Sequence, residues 1–125
     1  MNILTEKSFA TSLSCMDGRV QIPMNDWIKE KYAVDFVDTI TAPGIDKIFF
    51  DGNVDSLKKS VMISVSNHKS NHIVVSGHFG CAGNPVSDEE HFTHIKKSVE
   101  IISSWNLDAD VVGVWIDADF IPHLI

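Results

Sequence analysis

Two cysteines and a histidine stand out in the 125-residue sequence: Cys15 near its start, and His78 with Cys81 in the stretch Gly77-His78-Phe79-Gly80-Cys81. Thiolate and imidazole are soft or borderline donors, and three of them suit a tetrahedral zinc ion with one position left open. H-x-x-C alone is a weak signal. Its setting between Gly77 and Gly83 strengthens it, because small residues let the backbone turn tightly enough to aim both side chains at one point. Free thiols are also common in folded cores, so these three residues leave open both a metal site and a pair of buried cysteines.

A second motif surrounds the first cysteine. Cys15-Met16-Asp17-Gly18-Arg19 sets an acid and a base two and four residues beyond the thiol. An extended turn points Cys15, Asp17 and Arg19 toward the same side. Elsewhere such a pair would be a surface ion pair of little energetic weight. Beside a zinc ligand it reads as functional. A cysteine-phosphatase reading of Cys15 and Arg19 fails, because only three residues intervene and no glycine-rich phosphate cradle lies between them. A Cys-His-Asp hydrolase would need Cys15 or Cys81 free of metal as its nucleophile.

The elements that must position these residues alternate between apolar runs and helical patterns. Residues 9–14 read as a short strand ending at Cys15, and Phe36, Val37 and Ile40 mark a second, stopped by Ala42-Pro43-Gly44. Pro23-Met24-Asn25-Asp26 looks like a helix start, with Trp27, Ile28 and Tyr32 on its buried side. Residues 46–53 read as irregular around an apolar knot, Ile48-Phe49-Phe50. Asp55 can cap a helix to about His68, in which Leu57, Val61 and Val65 recur every fourth residue. The β-branched run 72–76 is the strongest strand. Asp88 opens a further helix with Phe92, Ile95, Val99 and Ile102 on one face, and 110–116 reads as a final strand. The expected fold is a single α/β domain over 1–125, a mostly parallel sheet of four to five strands flanked by helices with right-handed crossovers. Cys15, His78 and Cys81 then fall just beyond strand ends, where open parallel sheets form their sites.

C-x-D-x-R followed much later by H-x-x-C, in this order of elements, resembles the β-class carbonic anhydrases from about Leu13 to the last strand. The resemblance implies zinc held by Cys15, His78 and Cys81. It implies that Asp17 and Arg19 form the family's dyad, in which the aspartate either fills the fourth zinc position or pairs with the arginine and leaves that position to water. Two thiolates and a neutral imidazole leave zinc formally neutral, so binding Asp17 as well would add negative charge and occupy the place where water is activated. Pairing Asp17 with Arg19 releases it, and the pair can be bidentate. Zinc can then bring the pKa of bound water toward about 7 and supply hydroxide. The implied activity is reversible hydration of carbon dioxide to bicarbonate by a zinc lyase. The implied assembly is a homodimer or larger homo-oligomer with its sites near subunit interfaces.

The sequence departs from the family pattern in its surroundings. The family's Arg-containing, Ala-Gly-Asn-like loop is replaced by Thr41-Ala42-Pro43-Gly44-Ile45-Asp46, and Ala82-Gly83-Asn84-Pro85 follows the zinc cysteine. About eight residues precede the first strand, against the long N-terminal helices usual in the family. These changes keep two alternatives in view: a zinc-binding sensor or assembly domain without turnover, and a hydrolase of carbonyl sulfide or carbon disulfide.

Charge and composition narrow the partners. A formal net charge of −7 without a Lys/Arg stripe argues against nucleic acid. No apolar run is long enough to span a bilayer, and residues 1–10 contain Glu6 and Lys7 without a hydrophobic signal core. A lipoprotein reading of Ser12-Leu13-Ser14-Cys15 fails for the same reason. The expected setting is a reducing cytoplasm, with a small-molecule substrate and no membrane partner. His91 and His94 share a helix face and read either as solvated positions or as a proton shuttle. His68, His72 and His123 have no pattern to assign them. Asp108, Asp110, Asp117 and Asp119 lack the spacing of a calcium loop and read as solvated strand ends.

Overall fold

The computed structural model describes residues 7–125. Residues 1–6, part of the segment expected to lack a signal core, lie outside the described residues. The element order is β1 Phe9–Cys15, α1 Gly18–Tyr32, β2 Phe36–Ala42, α2 Ile45–Asp51, α3 Asp55–Asn67, β3 His72–His78, α4 Asp88–Ser103, β4 Asp110–Ile116 and β5 Pro122–Leu124. The sheet runs β2-β1-β3-β4-β5, with β1 to β4 parallel and β5 antiparallel at the edge.

Period-two alternation decides which helix covers which face. Leu13, Ile73 and Val75 face one layer with Ile45 and Phe49 of α2, Leu57, Val61 and Val65 of α3, and Ile102 of α4. Ala10, Val74, Val114 and Ile116 face the other, against Val20, Met24 and Ile28 of α1. β1 leads through α1 to one side of the sheet, whereas β2 crosses over β1 through α2 and α3 to reach β3. Reversing the direction of travel while keeping crossovers right-handed puts α1 alone on its face.

That reversal also opens the site. The β1–β2 ladder runs to Cys15↔Ala42 and the β3–β4 ladder to His78↔Ile116. Between them, β1 and β3 pair only from Thr11↔Ile73 to Leu13↔Val75. The two strands therefore part before their carboxyl ends, at the point where the strand order reverses and crevices form.

Four sequence expectations need correction. α1 begins at Gly18, five residues before Pro23, because Asp17 caps it by accepting the Arg19 backbone N–H at 2.9 Å. The helix accommodates Pro23 in its interior, so the preference of proline for a first helical position misplaced the start. Residues 45–51 form a helix rather than irregular chain. Gly44 and Gly52 bracket it in left-handed conformations, φ 57° and 81°, and Phe49 is driven fully into the core while Phe50 stays at the surface. α3 is preceded by Val54 without a side-chain cap, and Asp55 lies in its first turn. Finally, β4 is followed by the short β5. Among the described residues no helix is long and apolar enough to cross a membrane.

Candidate metal centre

Cys15 and His78 are the last residues of β1 and β3 rather than just past them, because β1 runs one residue and β3 two residues beyond the expected ends, and Cys81 follows in the turn after β3. Their ligand atoms all lie within 4.8 Å of one another, and all three residues are buried. Cys81 Sγ lies 3.8 Å from Cys15 Sγ. Gly80 supplies the turn with a left-handed φ of 70°.

The two ring nitrogens of His78 have different fates. Nδ1 is 2.8 Å from the Phe79 carbonyl oxygen, which can only accept, so Nδ1 carries the proton. Nε2 then presents a lone pair, and it is buried without any hydrogen-bond partner. Leaving such an atom dry and unpaired is costly, and a carbonyl fixing the opposite nitrogen is how a metal-ligating imidazole is held. The donor set and the orphaned nitrogen both fit a thiophilic metal ion.

Backbone N–H groups converge on the sulfurs. Gly44 N–H donates to Cys15 Sγ at 3.4 Å. Burial, then the neighbouring Cys15, push the Cys81 thiol up to about 11, opposed by the backbone N–H groups of Asn84 and Gly83. A cation among these donors would replace the thiol protons.

Asp17 and Arg19 meet as a fork. Arg19 Nε lies 3.1 and 3.2 Å from the two Asp17 oxygens, and a terminal guanidinium nitrogen lies 2.7 Å from Oδ2. The Arg19 side-chain hydrogen bonds hold the Asp17 carboxyl at about 2, well below its ordinary value. The same guanidinium reaches the Gly80 carbonyl at 3.4 Å and stands over the Phe120 ring at 5.7 Å. Asp17 is thus engaged by Arg19, while Cys15, His78 and Cys81 form the cluster. The motif comes together at a strand end running into a helix cap, not in an extended turn.

His91 and His94 do share a face, but both are buried rather than solvated. His91 Nδ1 is 2.6 Å from Asp46 Oδ2, and Asn84 Nδ2 joins Asp46 Oδ2 at 3.1 Å to His94 Nδ1 at 3.0 Å. Sequence reasoning missed Gly44, Asp46 and Asn84. An acidic residue in a first helical turn looks solvated, and only the close spacing of Pro43-Gly44 hinted at a crowded backbone. The unassigned histidines pair with carboxylates: His68 with Asp38, His72 with Asp110 and His123 with Asp117. Asp117 also accepts the N–H groups of Asp119 and Ile121.

A family profile described as "Putative carbonic anhydrase" matches residues 5–125. No curated protein matches the chain in sequence. Among solved structures, a β-carbonic anhydrase of Trichomonas vaginalis superposes with a TM-score of 0.67 at 16% identity, covering 92% of this chain and 81% of that one. The carbonic anhydrase of Streptococcus mutans gives 0.64 at 17%, covering 92% and 80%. A tetrameric β-carbonic anhydrase of Sordaria macrospora gives 0.52 at 15%, covering 98% and 83%. These likenesses establish the shared fold, and with the profile spanning nearly the whole sequence, the chain belongs to this carbonic anhydrase family.

Proposed function

We propose that the protein is a zinc enzyme that interconverts carbon dioxide and bicarbonate. The observation carrying this reading is the buried, unpaired Nε2 of His78 in a residue whose ring belongs to a cluster of ligand atoms, with the two cysteine sulfurs, all within 4.8 Å of one another. Cys15, His78 and Cys81 would hold the ion, which supplies a Lewis acid that makes hydroxide available near neutral pH.

The chain's own residues supply the rest. Asp17, ionised across the neutral range, only accepts hydrogen bonds, so it would orient the attacking oxygen by accepting a hydrogen bond from it. Arg19 grips that carboxylate with two nitrogens of its guanidinium and brings a positive charge beside the cluster, which favours an anionic product. Met16 and Phe79, each adjacent to a proposed ligand, stay exposed and form an apolar rim beside the cluster, which suits a neutral linear substrate. The same rim, with Ile121, supports a homo-oligomer burying this end of the sheet, and the tetrameric Sordaria relative is consistent with that. Two free thiols suit a reducing cytoplasm.

Stopped-flow hydration with zinc-loaded protein tests the proposal, with Cys81→Ala as control. Activity well above the control is expected, and a rate equal to it would sink the reading. The Thr41-Ala42-Pro43-Gly44-Ile45-Asp46 loop, without the family's arginine, favours a second reading: a zinc-holding sensor or assembly domain, or a hydrolase of carbonyl sulfide or carbon disulfide. Those substrates belong in the same assay.

A further inference from the structure

Behind the cysteine pair, the β2–α2 loop and the turn after β3 cross with their backbones touching. A Cβ on Gly44 would stand 2.6 Å from the Gly83 carbonyl carbon and oxygen, and a Cβ on Gly83 would stand 2.6 Å from Gly44 N. Neither position tolerates a side chain without moving backbone. This crossing matters because its two strands of chain flank the sulfurs: Gly44 N–H donates to Cys15 Sγ, and Gly83 and Asn84 follow Cys81 in its own turn, their N–H groups opposing the rise in its thiol pKa.

One hydrogen bond ties the crossing together from inside. Asn84 Nδ2 donates to Asp46 Oδ2 at 3.1 Å, and both residues are 1% exposed. The same carboxylate oxygen receives His91 Nδ1–H from α4 at 2.6 Å. The second amide hydrogen of Asn84 goes to His94 Nδ1 at 3.0 Å, which leaves the His94 proton on Nε2. Asp46 also packs on the third segment of the site. A Cβ on Gly77, the residue preceding His78, would stand 2.8 Å from Asp46 Oδ2. The carboxylate therefore fills the space that the missing side chain leaves.

We propose that Asp46 and Asn84 are positioning residues of the metal centre. They lock the Gly44 loop, the Cys81 turn and the end of β3 into the one arrangement that aims both sulfurs and the imidazole at a common point. The proposal rests on the zinc reading above. His91 and His94 serve it by holding the two side chains against α4, not by carrying protons to solvent.

The chemistry of the pair makes a directional test possible. Asn84→Asp keeps the shape but sets a second carboxylate against the first, removing the donor. Asp46→Asn combined with Asn84→Asp restores one donor and one acceptor with their owners exchanged. Zinc affinity is measured by competition with a chromophoric chelator, and ligand geometry from the visible absorption of the cobalt(II)-loaded protein. Each variant is first shown to be folded by circular dichroism, with Asn84→Ala as the milder substitute. Asn84→Asp, or Asn84→Ala, is expected to bind zinc about 10–100-fold more weakly with an altered cobalt spectrum, the usual scale for residues that orient ligands. Recovery in the exchanged double variant supports the hydrogen bond as the cause. Unchanged affinity and spectrum in folded Asn84→Ala, even with a lower melting temperature, would overturn the proposal and leave the zinc reading standing. Wild-type protein that binds zinc no better than Cys81→Ala would overturn both.

Discussion

Toward the amino ends of β1 and β3, buried polar side chains close on one another. Thr11 Oγ1 lies 2.6 Å from Ser64 Oγ and 2.7 Å from Ser70 Oγ, and Ser64 passes its proton on to Asp38 Oδ2 at 2.7 Å. His68 completes the chain with Nδ1 on the same carboxylate at 2.7 Å. At the carboxyl ends of the same two strands, Cys15 and His78 are just as buried, yet His78 Nε2 ends on nothing. The residue types overlap, with a histidine and a carboxylate at each end, but their saturation differs. A closed network specifies packing, because each group already has its partner. An open one stores unmet bonding capacity that only a ligand can satisfy. Histidine content alone therefore identifies neither end; the free lone pair does.

Removing a ligand at the open end should produce the largest effect. His78→Ala is expected to lower zinc affinity by more than about 100-fold, beyond the usual cost of losing a residue that merely orients a ligand. His68→Ala, at the closed and exposed end, should leave affinity and stoichiometry unchanged. Equal zinc binding by the two variants in an equilibrium dialysis measurement would erase the distinction between the ends.

This asymmetry explains what the sequence could disclose. That Cys15, His78 and Cys81 come together was legible because their residue types suit one metal-ligand set, and strand-end placement followed from simple apolar periodicity. The start of α1 was not, since Asp17 looked reserved for chemistry when it also caps the helix. The helix at α2 was hidden because its stops, Gly44 and Gly52, work through backbone conformation, and because Ile48-Phe49-Phe50 is too short to show a period. Asp46 was least legible of all. Nothing local distinguishes a carboxylate buried against Gly77 from the solvated acids nearby, because its partners come from residues 38 and 45 positions away.

A substitution at the closed end sharpens the contrast at intermediate size. Thr11 is fully buried and serves two serine hydroxyls at once. Thr11→Val keeps the shape but takes one partner from each serine, while Ser64 keeps Asp38 and Ser70 keeps the His72 carbonyl, so the loss should be about 0.5–1.5 kcal/mol of stability. Urea unfolding measures the loss, and the zinc affinity of the folded variant should match wild type. A variant with full stability but weakened zinc binding would mean that the two ends are not independent.

The smallest effect concerns Asp17, an acid at the open end that already has its partner. Arg19 is largely solvent-exposed, so its fork on Asp17 contributes little to folding, and its consequence is protonic. With the folded pKa of Asp17 depressed to about 2, the stabilisation it confers is complete above the ordinary value of 3.8 and disappears as pH falls through about 2. Across the neutral range Asp17 does not titrate, so an acidic limb in any pH–rate profile must arise elsewhere. Arg19→Ala removes the leading cause of the depression, and the Asp17 midpoint should climb toward 3.8 when followed by carboxyl-carbon NMR on the zinc-free protein. A midpoint that stays near 2 in that variant would mean that the helix cap alone holds the charge. Arg19 would then be free to act on substrate rather than on its neighbour.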